Sequence, residues 1–176
     1  YQVNPTEGVR NAIRIMKESG ADAVKLEGGS EIIDTIKGIL AAGIPVVGHL
    51  GLTPQSVHKF GGYGVRAKDE AEAAKLLSDA KLLDETGVCA LVLEKVSHKL
   101  AAEVSKQIEA PTIGIGAGNE TDGQVLVYAD AMGMTHGFKP KFLRVFADVS
   151  KCMSEGIADY MKCVKEQTFP NEGESY

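Results

Sequence analysis

Two rhythms of apolar residues alternate along the chain. Val9, Ala12, Ile13 and Met16 recur at helical spacing. Asn4 stands ahead of them as a good N-cap, Pro5 suits the first helical position and Glu7 sits where a capping glutamate belongs, so a helix is predicted up to Gly20. The run from Ala21 to Glu27 then reads as a strand. Ser30 is expected to cap a second helix carrying Ile32, Ile33, Ile36 and Leu40, with Gly43 ending it. P-V-V-G-H-L-G, Pro45 to Gly51, repeats the strand pattern, and a helix follows from about Asp69 to Glu85. Between them lies a stretch too rich in glycine and polar residues for an element interior, a candidate lid. C-A-L-V-L-E gives a third strand ending at Glu94, and Ser97 caps a helix reaching Ile108. P-T-I-G-I-G-A-G gives a fourth strand and loop, and a weaker fifth strand is expected around Val125 to Met132. Roughly Pro140 to Lys165 reads as helix, with Phe142, Val145, Phe146, Val149, Met153, Ile157, Met161 and Val164 as its apolar positions. Residues 166–176 read as a flexible tail.

Strands alternating with helices, each running straight into a polar or glycine-rich loop, predict a parallel sheet wound with crossover helices. A barrel and an open sheet both fit. Glu27, His49 and Glu94 each finish a strand, and a (β/α)8 TIM barrel collects such ends at the one face where its active site lies, which favours the barrel. About five βα units are visible, so about three more are expected ahead of Tyr1, all within a single barrel domain.

Composition narrows the functional classes. With 176 residues, 44% hydrophobic and a net charge of -5, the chain can bury a core and carries no basic block, which excludes a nucleic-acid surface. No apolar run is long enough to span a membrane. Cys89, Cys152 and Cys163 lack metal-ligand spacing and read as reduced thiols of a cytoplasmic protein.

The chemistry gathers at the strand ends. Lys25 and Glu27 are two apart, so in a strand they share a face while Val24 and Leu26 take the other. Such a pair either plugs the sheet end as an ion pair or forms a site for an anionic substrate and a cation. Glu94 follows a wholly apolar run, where desolvation strengthens a carboxylate as a general base; the plainer alternative is a helix cap or a partner for Lys95. His49 is either a satisfied core histidine or part of the same site. G-I-G-A-G, Gly114 to Gly118, lacks the third glycine of the dinucleotide fingerprint, since Asn119 stands there, so no nucleotide cofactor is expected. Gly61, Gly62 and Gly64 around Tyr63 supply a loop able to close over a planar ligand, or a solvated turn.

V-K-L-E-G-G, V-G-H-L-G-L-T-P-Q-S, F-G-G-Y, L-V-L-E, I-G-I-G-A-G and T-D-G-Q-V-L-V, in that order, together resemble the ketopantoate hydroxymethyltransferase family, and the likeness runs on to F-P-N-E-G-E. That resemblance implies a (β/α)8 barrel, commonly a homo-oligomer built as a decamer of two pentameric rings. It also implies transfer of a hydroxymethyl group from 5,10-methylenetetrahydrofolate to 3-methyl-2-oxobutanoate, giving 2-dehydropantoate in pantothenate and coenzyme A biosynthesis. Mg²⁺ chelated by the oxo acid would stabilise the enolate. By the same resemblance Glu94 is the proton acceptor, Lys25 meets the oxo-acid oxygens, Glu27 lies on the magnesium side and His49 is near the same pocket. The family's main metal-binding aspartates and a substrate-contacting serine fall on strands ahead of Tyr1, so weak magnesium binding and weak or absent activity are expected of residues 1–176 alone. Two rivals stand beside this reading. One is another magnesium-dependent oxo-acid enzyme of the phosphoenolpyruvate-utilising barrels, against which G-H-L-G-L-T-P-Q argues. The other is a noncatalytic, oligomer-forming fragment or pseudoenzyme.

Overall fold

A computed structural model describes residues Tyr1–Tyr176. They fall into two units, Tyr1–Val125 and Leu126–Tyr176.

The first unit is built on a parallel five-stranded sheet in the order β1-β2-β3-β4-β5, with strands β1 (Val24–Glu27), β2 (Val46–Gly51), β3 (Ala90–Glu94), β4 (Thr112–Ile115) and β5 (Gly123–Gln124). Helices α1 (Pro5–Ser19), α2 (Ile33–Ala41), α4 (Glu70–Thr86) and α5 (His98–Gln107) alternate with the strands, and a short α3 (Val57–Phe60) lies in the β2–α4 connection. Sequential order, with helical crossovers joining β1 through β4, makes this an α/β fold and part of a (β/α) barrel.

Period-two alternation sorts the strand residues between two faces. Val24, Leu26, Val46, Leu50, Leu91 and Leu93 belong to one buried cluster with Ile36, Ile39, Leu83 and Val104 of the helices. The opposite face is layered by register: Lys25 beside Val47, then Glu27 beside His49 and Val92, then Gly51 beside Glu94 and Ile115. The parallel register therefore sets the strand-end residues on neighbouring strands, no more than one layer apart.

Helix boundaries follow local chemistry. Asn4 accepts a hydrogen bond from Glu7 N, Asp69 from Glu72 N and Ser97 from Leu100 N, while Gly20 and Gly87 close their helices with left-handed backbones. Ser30 departs from its expected cap role. A 3-10 turn, Ser30–Ile32, precedes α2, whose N-cap is Ile32 with no side-chain bond. The Ser30 amide instead donates to Asp79 Oδ1 of α4 at 3.2 Å.

The fifth strand is shorter and earlier than the sequence predicts, and Tyr128–Ala131 forms a helical turn, α6. Asp122 explains the shift. Its Oδ2 accepts from Thr112 N at 2.8 Å and from Thr112 Oγ1 at 2.9 Å, which pins the T-D-G turn against the start of β4 and brings Gly123 alongside Ile113.

In the second unit, α7 spans Val149–Lys165, so the predicted helical stretch from Pro140 is irregular over its first nine residues, 140–148. That segment pairs outward: Phe146 N donates to Ala131 O at 2.7 Å and Val149 N to Met132 O at 3.1 Å, and Asp148 caps the helix at Lys151 N. Met153, Ile157, Met161 and Val164 on α7 are exposed. Residues 172–174 form one 3-10 turn closed by a capping box from Asn171. No helix is long and apolar enough to cross a membrane.

Candidate active site

The sequence-predicted residues meet. Lys25 Nζ lies 3.1 Å from His49 Nδ1 and 3.6 Å from Glu27 Oε1. On the other side of the imidazole, Nε2 lies 3.4 Å from Glu94 Oε2. An ammonium has donors only, so His49 Nδ1 must accept from Lys25, which leaves the ring proton on Nε2, facing the Glu94 carboxylate. His49 Nε2 is buried and makes no formed hydrogen bond at its 3.4 Å separation from Glu94. Three strands thus contribute one line of charge and proton-bearing groups, Lys25–His49–Glu94, with Glu27 beside it.

Exposure separates the roles. The His49 and Glu27 side chains are 2% and 7% exposed, Glu94 is 15%, and Lys25 is 46%. A buried imidazole holds a fixed orientation, whereas the ammonium reaches the open side of the sheet. Glu27 is held from two directions. Its Oε2 accepts from Gln55 N at 2.9 Å, and its backbone N–H and C=O bind the Tyr1 hydroxyl at 3.2 and 3.3 Å. Burial raises the Tyr1 phenol above its usual value; the hydrogen bond to the Glu27 carbonyl opposes this and the Glu27 charge adds to it.

The strand ends are shaped by close backbone approach. Gly51 has φ 88°, and a Cβ there would lie 2.3 Å from the Glu94 carbonyl oxygen, so β2 approaches β3 this closely only with glycine. Gly29, after Glu27, is similarly confined: a Cβ would lie 2.3 Å from the Asp79 carboxyl. Asp79 in turn pairs with Lys75, one helical turn earlier. Burial lowers the Lys75 ammonium, yet the hydrogen bond and charge of Asp79, with Glu31, outweigh that and raise it overall.

Tyr1, Gln55 and Asp79 were not among the sequence candidates. Asp79 left a signal, since it sits three residues after Leu76 and four before Leu83, on the buried face of an amphipathic helix. Gln55 acts through its backbone and left none.

A cavity of about 260 Å³ lies beside Glu27, lined also by Gly51, Phe60, Arg66, Lys75 and Asp79. Lys25, His49 and Glu94 share a sheet face with Glu27 but do not line the cavity. No group of three or more His, Cys, Asp or Glu side chains is placed to hold a metal ion. Glu27 offers a single carboxylate, and one of its oxygens already accepts a backbone N–H. The donor set of this chain therefore does not make a magnesium site by itself.

Parallel βα units with two carboxylates, an imidazole and an ammonium toward the carboxyl ends of their strands fit the kind of barrel that carries enzyme sites at that face. The sequence profile of the ketopantoate hydroxymethyltransferase family matches residues 1–172, and the chain belongs to that family. It is similar over its whole length to the 3-methyl-2-oxobutanoate hydroxymethyltransferases of Bacteroides fragilis, at 59% identity, and of Phocaeicola vulgatus, at 58%. The enzyme of that name from Salinibacter ruber is 52% identical over the same 176 residues. The chain spans 64% of the length of the first two relatives and 66% of the third.

Proposed function

We propose that this chain carries the oxo-acid side of a hydroxymethyl transfer from 5,10-methylenetetrahydrofolate to 3-methyl-2-oxobutanoate, giving 2-dehydropantoate. The observation that carries the reading is the contact line Lys25–His49–Glu94, 3.1 and 3.4 Å, across three adjacent strands. The names of the relatives give the acceptor, 3-methyl-2-oxobutanoate, and the hydroxymethyl group.

Lys25 spends one N–H on His49 and keeps two for the oxo-acid oxygens, where it balances the substrate's charge and the charge that grows on the ketone oxygen. Glu94 takes the proton from C3, and the electron pair of that C–H bond passes into the enolate. Its C3 bonds to the folate's methylene carbon as one C–N bond breaks, and water replaces the second C–N bond, leaving the hydroxymethyl group on C3 and free tetrahydrofolate. His49 Nε2, 3.4 Å from Glu94, turns its proton toward that carboxylate, and a slight closer approach forms the hydrogen bond that steadies it before transfer. The chemistry a magnesium ion would supply at the family's site is polarisation of the ketone. Glu27 is the residue of this chain that would face it, and every step assigned above belongs to the chain's own side chains. A homo-oligomeric, cytoplasmic setting and a place in pantothenate synthesis are part of the same proposal.

The test is proton exchange at C3 of 3-methyl-2-oxobutanoate in deuterium oxide, followed by NMR with Mg²⁺ present. Slow exchange above the buffer rate is expected from residues 1–176, falling to the buffer rate in Glu94→Gln. Exchange that Glu94→Gln leaves untouched would remove Glu94 from the role. Exchange at the buffer rate in both would favour a noncatalytic fragment.

A further inference from the structure

Lys95, the residue after Glu94, has a left-handed backbone with φ 47°. Residues other than glycine rarely adopt that conformation and keep it only where the surroundings over-determine it. Here three segments do so. Lys95 N donates to Ile115 O of β4 at 2.8 Å, Leu52 N donates to Glu94 O at 2.8 Å, and Arg66 N donates to Lys95 O at 2.8 Å. The side chain adds a fourth tie, with Nζ donating to the carbonyl oxygen of Tyr63. Backbone bonds alone would be served better by glycine. A lysine at a position that favours glycine points to a use for its side chain, and the contact that side chain makes is the one to Tyr63.

Two of the four ties grip the same loop. Around Gly61, Gly62 and Gly64 a Cβ would meet nothing within 4 Å, so the loop is uncrowded, and its far end is fixed by Arg66, which pairs with Glu72 and lies 4.0 Å over the Phe60 ring. We propose that Lys95 is a positioning residue that latches the loop from Gly61 to Arg66 onto the peptide carrying Glu94, so that loop position and the aim of the base are set together. Tyr63, 65% exposed, is the aromatic side chain the latch would carry toward the site. The inference rests on the reading of Glu94 as the proton acceptor.

The test uses Lys95→Met, Lys95→Gly and Lys95→Arg in residues 1–176. The glycine variant keeps the backbone conformation without strain, so it folds even where the methionine variant does not. In Lys95→Met and Lys95→Gly, deuterium exchange of the Tyr63–Arg66 amides is expected to speed up about tenfold. The kcat for C3-proton exchange should fall about tenfold with KM within about twofold of the parent, and Lys95→Arg should restore most of it. Amide exchange and kcat both within about twofold of the parent would overturn the latch, as would faster amide exchange with kcat unchanged. Glu94→Gln run alongside separates the two claims. If it abolishes C3 exchange while the Lys95 variants behave as the parent, only the latch fails; if it leaves exchange intact, the reading of Glu94 fails first.

Discussion

His49 earns its place through the asymmetry of its two nitrogens. One accepts from an ammonium and the other faces a carboxylate, so the ring links Lys25 to Glu94 without itself being exposed. Lys25→Met should raise KM for the oxo acid about ten- to hundredfold, the worth of a charge-assisted hydrogen bond, with a smaller change in kcat; steady-state kinetics of C3 exchange check it. Asp122 makes a separate prediction about stability. The backbone hydrogen bond from Thr112, with its hydroxyl bond, holds the Asp122 carboxyl below the usual carboxylate range. A depressed carboxylate contributes stability that is present above its unfolded value and lost as pH falls through the lower folded value. Urea midpoints should therefore fall from neutral pH toward about pH 3, less steeply in Asp122→Asn. At this scale Lys25, Glu27, His49 and Glu94 were legible because charge on an apolar strand is anomalous. Tyr1 and Gln55 were not, since a backbone donor or a single phenol carries no pattern.

Elements were legible where their signals were local. The caps at Asn4 and Ser97 and the helix stop at Gly20 are chemistry of the nearest few residues. The misplaced boundaries each depend on a distant partner: Ser30 is capped from α4, β5 is set by Asp122 against Thr112, and 140–148 is drawn out of helix by Ala131 and Met132. Asp79→Leu should thus cost about 1–3 kcal/mol by leaving the Ser30 amide without its acceptor. It should also loosen the loop after Glu27, which denaturant unfolding and amide exchange at Ser30 would show. Gly51→Ala forces both a left-handed alanine and a clash with the Glu94 carbonyl, so it should lower C3 exchange as well as stability. A drop in stability with exchange unchanged would separate that turn from the site.

Over the whole molecule, the alternation of strand and helix predicted the α/β fold, and the sheet order agrees with a portion of a (β/α) barrel. What alternation could not show was how enclosed the site is: the four residues gather, but Lys25 remains nearly half exposed and the cavity beside Glu27 does not include the base. The single carboxylate offered to a metal predicts weak magnesium binding by residues 1–176, readable by calorimetry, and tight binding would contradict that donor count. The central claim is that Lys25, His49 and Glu94 act as one proton-bearing line that receives the oxo acid. Its most direct measurement is the ¹⁵N NMR spectrum of the His49 ring during titration with 3-methyl-2-oxobutanoate. The account predicts an Nε2–H, Nδ1-acceptor pattern in the free protein, a saturable shift of both nitrogens on binding, and a changed Nε2 signal in Glu94→Gln. An Nδ1–H ring, or one whose signals ignore both the oxo acid and the loss of the Glu94 charge, would contradict it.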